Sequence, residues 1–143
     1  MMYLVDTNVI SELRNPAKAN RNVKNWEIGV DPSLVFMSTI SVLELELGVR
    51  LMERRDVQQG KALRAWLDRR VLPAFAGRIL PIDTEVALRC AALHVPNPRS
   101  YRDALIAATA SVHNMTIVTR NVADFEPTGV ALLNPWETSD LQP

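Results

Sequence analysis

Four acidic residues, Asp6, Glu44, Asp103 and Asp124, stand where a carboxylate can do more than keep a surface soluble. Asp6 directly follows the apolar run Tyr3-Leu4-Val5, so it projects from the carboxyl end of a strand; the simpler alternative is a cap for a helix starting near Val9. Glu44 lies in a helical stretch which, at about 100° per residue, carries two apolar stripes, Val42-Leu45-Val49-Met52 and Leu43-Leu47-Leu51, with Glu44 and Gly48 between them. A carboxylate bordered by leucines needs a compensating cation or hydrogen bonds. The other choice is a side chain that reaches solvent from the stripe's edge. Asp103 opens Asp103-Ala104-Leu105-Ile106-Ala107-Ala108-Thr109-Ala110, where an acid is favoured by the helix dipole whatever else it does. Asp124 follows a fourth apolar run by a few residues, and Thr119 and Asn121 beside it offer groups suited to orienting a ligand.

Gathered at one place, four carboxylates repel one another, and a bound divalent cation removes that penalty. Cys90 is the only cysteine, and His94 and His113 are the only histidines, too few soft ligands for a zinc site. Ligation by oxygen favours Mg²⁺ or Mn²⁺. Such ions polarise a phosphoryl oxygen, activate an attacking water and steady the leaving oxygen, the chemistry of phosphodiester cleavage.

The elements that must position these acids alternate short apolar runs with longer helical ones, the pattern of an α/β fold with a mostly parallel sheet and crossover helices. Strands are predicted at 3–5, 35–38, 78–82, 116–119 and 130–133, the last a candidate edge strand, giving a central sheet of four to five strands with helices on both faces. Helices are predicted at 43–54, 60–72, 83–93 and 102–113, with a short turn or helix at 121–125. In open sheets of this kind ligands bind beyond the carboxyl ends of the strands, which is where the four acids are assigned.

At 143 residues the chain is read as a single domain, 1–143, and 48% hydrophobic residues suffice for one core. No apolar stretch reaches the roughly 18 residues a membrane span needs, and the start lacks a basic leader, so the expectation is a soluble cytoplasmic protein without a membrane partner. Cys90 reads as a buried thiol. Sixteen basic residues balance sixteen acidic ones, so the overall charge carries no nucleic-acid signature. From Arg50 to Arg78, however, eight basic residues face only Glu53, Asp56 and Asp68; they form either solvated helix faces or a basic shoulder for a phosphate backbone. Trp26, Trp66 and Trp136 read as core residues rather than as an interface.

Four stretches together resemble the PIN-domain family, and within it the VapBC-type toxin nucleases of the FitB-like branch. They are Asp6-Thr7-Asn8-Val9-Ile10-Ser11-Glu12-Leu13, Ser41-Val42-Leu43-Glu44-Leu45-Glu46-Leu47-Gly48, Arg102-Asp103-Ala104-Leu105-Ile106-Ala107-Ala108-Thr109-Ala110 and Thr119-Arg120-Asn121-Val122-Ala123-Asp124-Phe125, with a closing Asn134-Pro135-Trp136. The resemblance spans nearly the whole chain. It implies a PIN-like domain with Asp6, Glu44, Asp103 and Asp124 as catalytic Mg²⁺ or Mn²⁺ ligands, and an endoribonuclease toxin that leaves 5′-phosphate and 3′-hydroxyl ends. It further implies supporting roles for Thr7, Asn8, Thr119 and Asn121, with the Thr119 hydroxyl near the metal and Asn8 ordering the Asp6 loop. Relatives usually form homodimers and are silenced by a VapB/FitA-like antitoxin whose tail enters the acidic groove, often with an arginine; DNA is met only through that antitoxin.

Two departures bear on the transfer. Glu46 lies two residues beyond Glu44 and competes for its role, but the spacing to Gly48 and the helix face both favour Glu44. Where many relatives carry glycine before the fourth strand, this chain has His113-Asn114, which requires a left-handed Asn114. An aspartate-nucleophile phosphotransferase would need a second acid at Asn8, and a receiver domain would need a lysine later than Lys61. The remaining rival is a PIN-like binding module whose main role is antitoxin binding and promoter DNA occupancy.

Overall fold

Alternation with period two decides how the strands divide the core. The computed structural model describes residues 1–137, so residues 138–143 of the single-domain reading lie outside the described residues. Five strands, β1 (Tyr3–Val5), β2 (Val35–Ser38), β3 (Ile79–Leu80), β4 (Thr116–Val118) and β5 (Leu132–Leu133), form one sheet in the order β3-β2-β1-β4-β5, with every pairing parallel. Tyr3, Val5, Val35, Met37, Ile79, Val118 and Leu133 share one apolar cluster; Leu4, Phe36, Leu80, Ile117 and Leu132 share another. Each strand therefore contributes to both faces, and each face is covered by helices, as parallel sheets require.

The first face carries α1 (Thr7–Glu12), α2 (Arg21–Gly29) and α3 (Thr39–Arg55), which supply Val9, Ile10, Val23, Leu45 and Val49 to the core, and α4 (Val57–Trp66), whose Leu63 and Trp66 pack against it. The second carries α7 (Tyr101–His113), with α6 (Thr84–Leu93) packed outside it and the short α8 (Val122–Phe125) contributing Phe125. Ala104, Ala107, Ala108 and Ala110 are fully buried, and these small side chains let α7 lie between the sheet and α6. Cys90 is buried in that outer layer.

Several boundaries differ from the sequence-based expectation, each for a local reason. The third strand is two residues rather than five, because Pro81 has no N–H to continue the ladder. The predicted helix 60–72 starts earlier, at Val57, and widens into a π-helical stretch at Leu67–Val71, where Leu72 N–H donates to the Leu67 carbonyl, before α5 (Leu72–Ala74). Pro73 explains the widening, since its ring cannot fit a regular α-turn. The helix containing Glu44 starts at Thr39 because Ser38, the last strand residue, caps it by accepting from Ile40 N–H at 3.0 Å. Strand thus passes into helix with no loop between. Asn114 is left-handed (φ 55°, ψ 52°), as the missing glycine requires.

The basic region between Arg50 and Arg78 is partly occupied with internal bonds. Arg64 binds Glu46 (2.7 Å), Glu53 (3.2 Å) and Asp68 (3.5 Å), joining α3 to α4 across a helix pair so close that a Cβ on Gly60 would meet the Glu53 backbone at 2.5 Å. Arg78 donates to the carbonyls of Pro32, Val35 and Ala74.

The Arg64 hydrogen bond, against partial desolvation and helped by Arg50, holds the Glu46 carboxyl down to about 2 from an ordinary 4.5. A depressed carboxyl pKa stabilises the fold above its unfolded value and loses that contribution as pH falls toward the folded one. Glu46→Gln should therefore be modestly less stable than the unsubstituted protein near neutral pH. The gap in urea midpoint should narrow as the pH is lowered from about 5 toward about 3.

Candidate active site

The strand order reverses between β1 and β4, and a parallel sheet opens a crevice at such a switch point, beyond the strands' carboxyl ends. Asp6 ends β1 at that crevice, with its backbone N–H donating to the Val118 carbonyl at 2.9 Å. It is fully buried. One carboxylate oxygen accepts from Thr7 N–H at 2.8 Å, so Asp6 does cap α1, and the other accepts from the buried Thr119 hydroxyl at 2.8 Å. Capping and site membership are thus compatible.

Glu44 arrives in the second turn of α3, half-buried and facing Asp6. The Thr7 hydroxyl lies 2.5 Å from Glu44 Oε1 and 2.9 Å from Ser41 Oγ. Because a hydroxyl has one proton, Thr7 donates to the carboxylate and accepts from Ser41. Glu46, two residues on, points instead to Arg50 and Arg64, so of the two glutamates Glu44 is the one beside Asp6.

Asp103 stands in the first turn of α7, whose cap Ser100 accepts from Asp103 N–H at 3.3 Å. The preceding residue, Arg102, extends into the middle of the acids. Its Nε donates to Glu44 Oε2 at 2.6 Å, its Nη1 to Asp103 Oδ1 at 2.9 Å and its Nη2 to Asp6 Oδ1 at 2.5 Å. Burial pushes the Glu44 carboxyl up, but hydrogen bonds from Arg102 and Thr7 and the Arg102 charge together carry it below its ordinary value. Burial likewise works against the Arg102 charge, and the three carboxylates outweigh it, raising that pKa further above its already high range.

Asp124 is exposed and lines the same cleft, of about 710 Å³, with Thr7, Asn8, Glu44, Asp103, Arg120 and Asn121. Among the described residues no ion pair joins it to Arg102, so three of the four acids meet at one cation and the fourth stands at the rim. Asn8 Nδ2 lies 3.4 Å from both Asp6 Oδ2 and Thr119 Oγ1, and the Thr119 hydroxyl also accepts from Asn121 N–H at 3.0 Å. These contacts tie the loops after β1 and β4 together.

Arg102 and Ser41 were not singled out from the sequence. A signal existed for Arg102: a cation in the first turn of a helix opposes the helix dipole, so its position calls for a compensating partner. Ser41 is one turn before Glu44, the spacing at which helix neighbours share a face.

The acids' donor set consists of carboxylate oxygens backed by hydroxyls and an amide, which suits a hard divalent cation, and a cationic group already sits at their centre. As placed, no three acidic, histidine or cysteine side chains among the described residues close on a single ion, because the acids are spaced around the guanidinium.

Thr119→Val removes the donor to a fully buried carboxylate oxygen while keeping the side chain's shape. It should cost about 1–3 kcal/mol of stability, the range for a buried polar group left without its partner. Urea denaturation of the purified variant reads this directly.

Comparison with known proteins places these features in a lineage. The chain is 39% identical to Toxin FitB of Neisseria gonorrhoeae over 145 residues, covering 94% of this chain and 99% of that protein. It is 37% identical to VapC ribonuclease Y4jK of Sinorhizobium fredii over 144 residues, covering 95% and 99%. In structure it resembles FitAB bound to an IR36 DNA fragment, with a TM-score of 0.88 and 37% identity over 96% of this chain and 98% of that one. The family model described as the PIN domain matches residues 3–127, and on that match the chain belongs to the PIN domain family.

Proposed function

We propose that this protein is a Mg²⁺- or Mn²⁺-dependent endoribonuclease, the toxin of a toxin–antitoxin pair, acting through a single nuclease domain. The observation that carries the reading is the convergence of Asp6, Glu44 and Asp103 on one cationic group at the carboxyl edge of the sheet. The names of the relatives, a toxin and a ribonuclease, support it.

Asp6, Glu44 and Asp103, with Asp124 at the rim, are the residues that would hold the ion. When bound, a divalent cation polarises a phosphoryl oxygen and makes it open to attack by water. The chain's own contribution is to fix the carboxylates. Thr119 and Asn8 orient Asp6, and Thr7, itself held by Ser41, orients Glu44. Half-burial of Glu44 and full burial of Asp6 keep water from competing for those oxygens. Asn121 and Arg120 line the cleft in which an RNA backbone would lie, with Arg120 offering a cation to its phosphates.

A FitA-like antitoxin is the partner in this reading, supported by the FitAB complex, and DNA is reached through it. No helix among the described residues is long and apolar enough to cross a membrane, in keeping with action in the cytoplasm. A homodimer is supported by the second apolar stripe of α3: Leu43, Leu47 and Leu51 are 59%, 51% and 61% exposed, an arrangement that favours burial against another protein surface.

Mixed cellular RNA incubated with the partner-free protein should be cut in Mg²⁺ and spared in chelator. Asp103→Asn should lower the rate by roughly 100-fold or more, at or above what even the partners of metal ligands are worth. If neither protein cuts in Mg²⁺ or Mn²⁺ while both still bind an antitoxin, the catalytic reading gives way to a binding module. Light scattering tests the second surface. Leu47→Glu should convert a dimer to a folded monomer, and a dimer that survives the substitution would place the interface elsewhere.

A further inference from the structure

Arg102 has no role in the reaction as proposed above, yet it occupies the centre of the acid cluster. Its three nitrogens reach three carboxylates, Glu44 through both Nε and Nη2, Asp103 through Nη1 and Asp6 through Nη2. Its side chain is 31% exposed and opens on the cleft, so it has a path out that leaves the core undisturbed. It also sits in the first turn of α7, where a positive charge runs against the helix dipole. Among the described residues its ion-pair partners there are the three acids.

We propose that Arg102 is a built-in counter-cation that closes the acid pocket, and that it and a divalent metal ion exclude one another, so that Arg102 sets how much metal the protein requires. The proposal rests on the metal-binding reading above. Geometry supplies the exclusion. A guanidinium presents its donors from separate atoms of a planar fork, which holds the carboxylates apart, whereas an ion such as Mg²⁺ needs its oxygens to converge on one point at about 2.1 Å. The same oxygens cannot serve both arrangements. In the closed arrangement no three acids among the described residues are grouped to share an ion, as the fork's spacing dictates.

Charge explains why the exchange is possible in both directions. One guanidinium leaves the three engaged carboxylates in formal excess, so a doubly charged ion neutralises them better once it is present. Metal binding must first give up the Arg102 contacts, and the observed affinity is reduced by the stability of the closed form. In the absence of metal the fork takes over the ion's electrostatic task and keeps the folded site from repelling itself apart. The hydroxyls of Thr7 and Thr119 hold Glu44 and Asp6 independently of the guanidinium, so those acids retain their anchors when Arg102 leaves.

A purely positioning Arg102 would have the opposite signature, because removing it would loosen the acids and weaken metal binding. The sign of the change therefore decides. Calorimetric titration of Mn²⁺ into the full-length, partner-free protein should show Arg102→Met binding at least about tenfold more tightly than the unsubstituted chain, the scale expected when one unit charge a few ångström from the ion is removed. Arg102→Lys, which keeps the charge but replaces the planar fork with donors on a single nitrogen, should fall between. In chelator Arg102→Met should melt below the unsubstituted protein, with the gap closing as Mn²⁺ is added.

Equal or weaker Mn²⁺ affinity in Arg102→Met overturns the proposal and leaves the nuclease reading standing. Should that variant fail to fold in chelator, Arg102→Lys decides on the same sign. If neither the unsubstituted protein nor its variants bind Mn²⁺, the metal-dependent reading falls and the proposal falls with it.

Discussion

Like charges brought together at the edge of a sheet are a liability that the rest of this molecule is arranged to contain. Asp6 is fully buried, Glu44 and Asp103 are half-buried beside it, and each arrives on a different element. Removing carboxylates from water while placing them near one another is tolerable only with hydrogen bonds to their oxygens and a cation between them. The Arg102 fork provides the cation, and the backbone and hydroxyl donors provide the rest. Charge-assisted bonds of this kind are among the strongest polar contacts in a protein, but here much of their strength offsets desolvation rather than adding net stability.

The scaffold meets this constraint with local devices. β1 ends directly on Asp6, which then caps α1, so the acid has no slack in its position. β2 passes into α3 through the Ser38 cap without a loop, fixing Glu44 in the second helical turn beyond the sheet edge. Thr119 follows β4, and its hydroxyl links the two central strands' loops through Asp6 and Asn121. Because β1 and β4 flank the switch point, these short connections bring residues more than a hundred positions apart into hydrogen-bonding distance.

α3 shows how many demands one helix can carry. Leu45 and Val49 enter the core, Glu44 turns to the acid cluster, and Glu46 and Glu53 bind Arg64 on α4. That leaves Leu43, Leu47 and Leu51 facing outward, where leucines give no benefit to the isolated chain. The sequence pattern of two apolar stripes is thus real, but only one of them is a core stripe. The alanine-rich α7 meets a different demand, since its small side chains admit the sheet on one side and α6 on the other while holding Asp103 at the open end.

The residue order by itself determined the α/β class, the placement of strands and which of Glu44 and Glu46 faces the other acids. Strict alternation and buried β-branched runs leave few other options, and Glu44 was separable from Glu46 because helical periodicity assigns them to different faces. The acids' positions at strand and helix ends were legible for the same reason: a strand's end is marked where apolar residues stop. Tertiary structure alone decided what joins those acids. Arg102 reads in sequence as one more surface cation beside an aspartate, and only the crossing of α7 over the carboxyl edge puts its fork between residues 58 and 96 positions distant. It also decided which leucine stripe is buried, the π-helical widening ahead of Pro73, and the pairing of Arg64 with α3. Long-range electrostatic partners and the choice between two apolar faces depend on how elements pack, and local propensity carries no record of that.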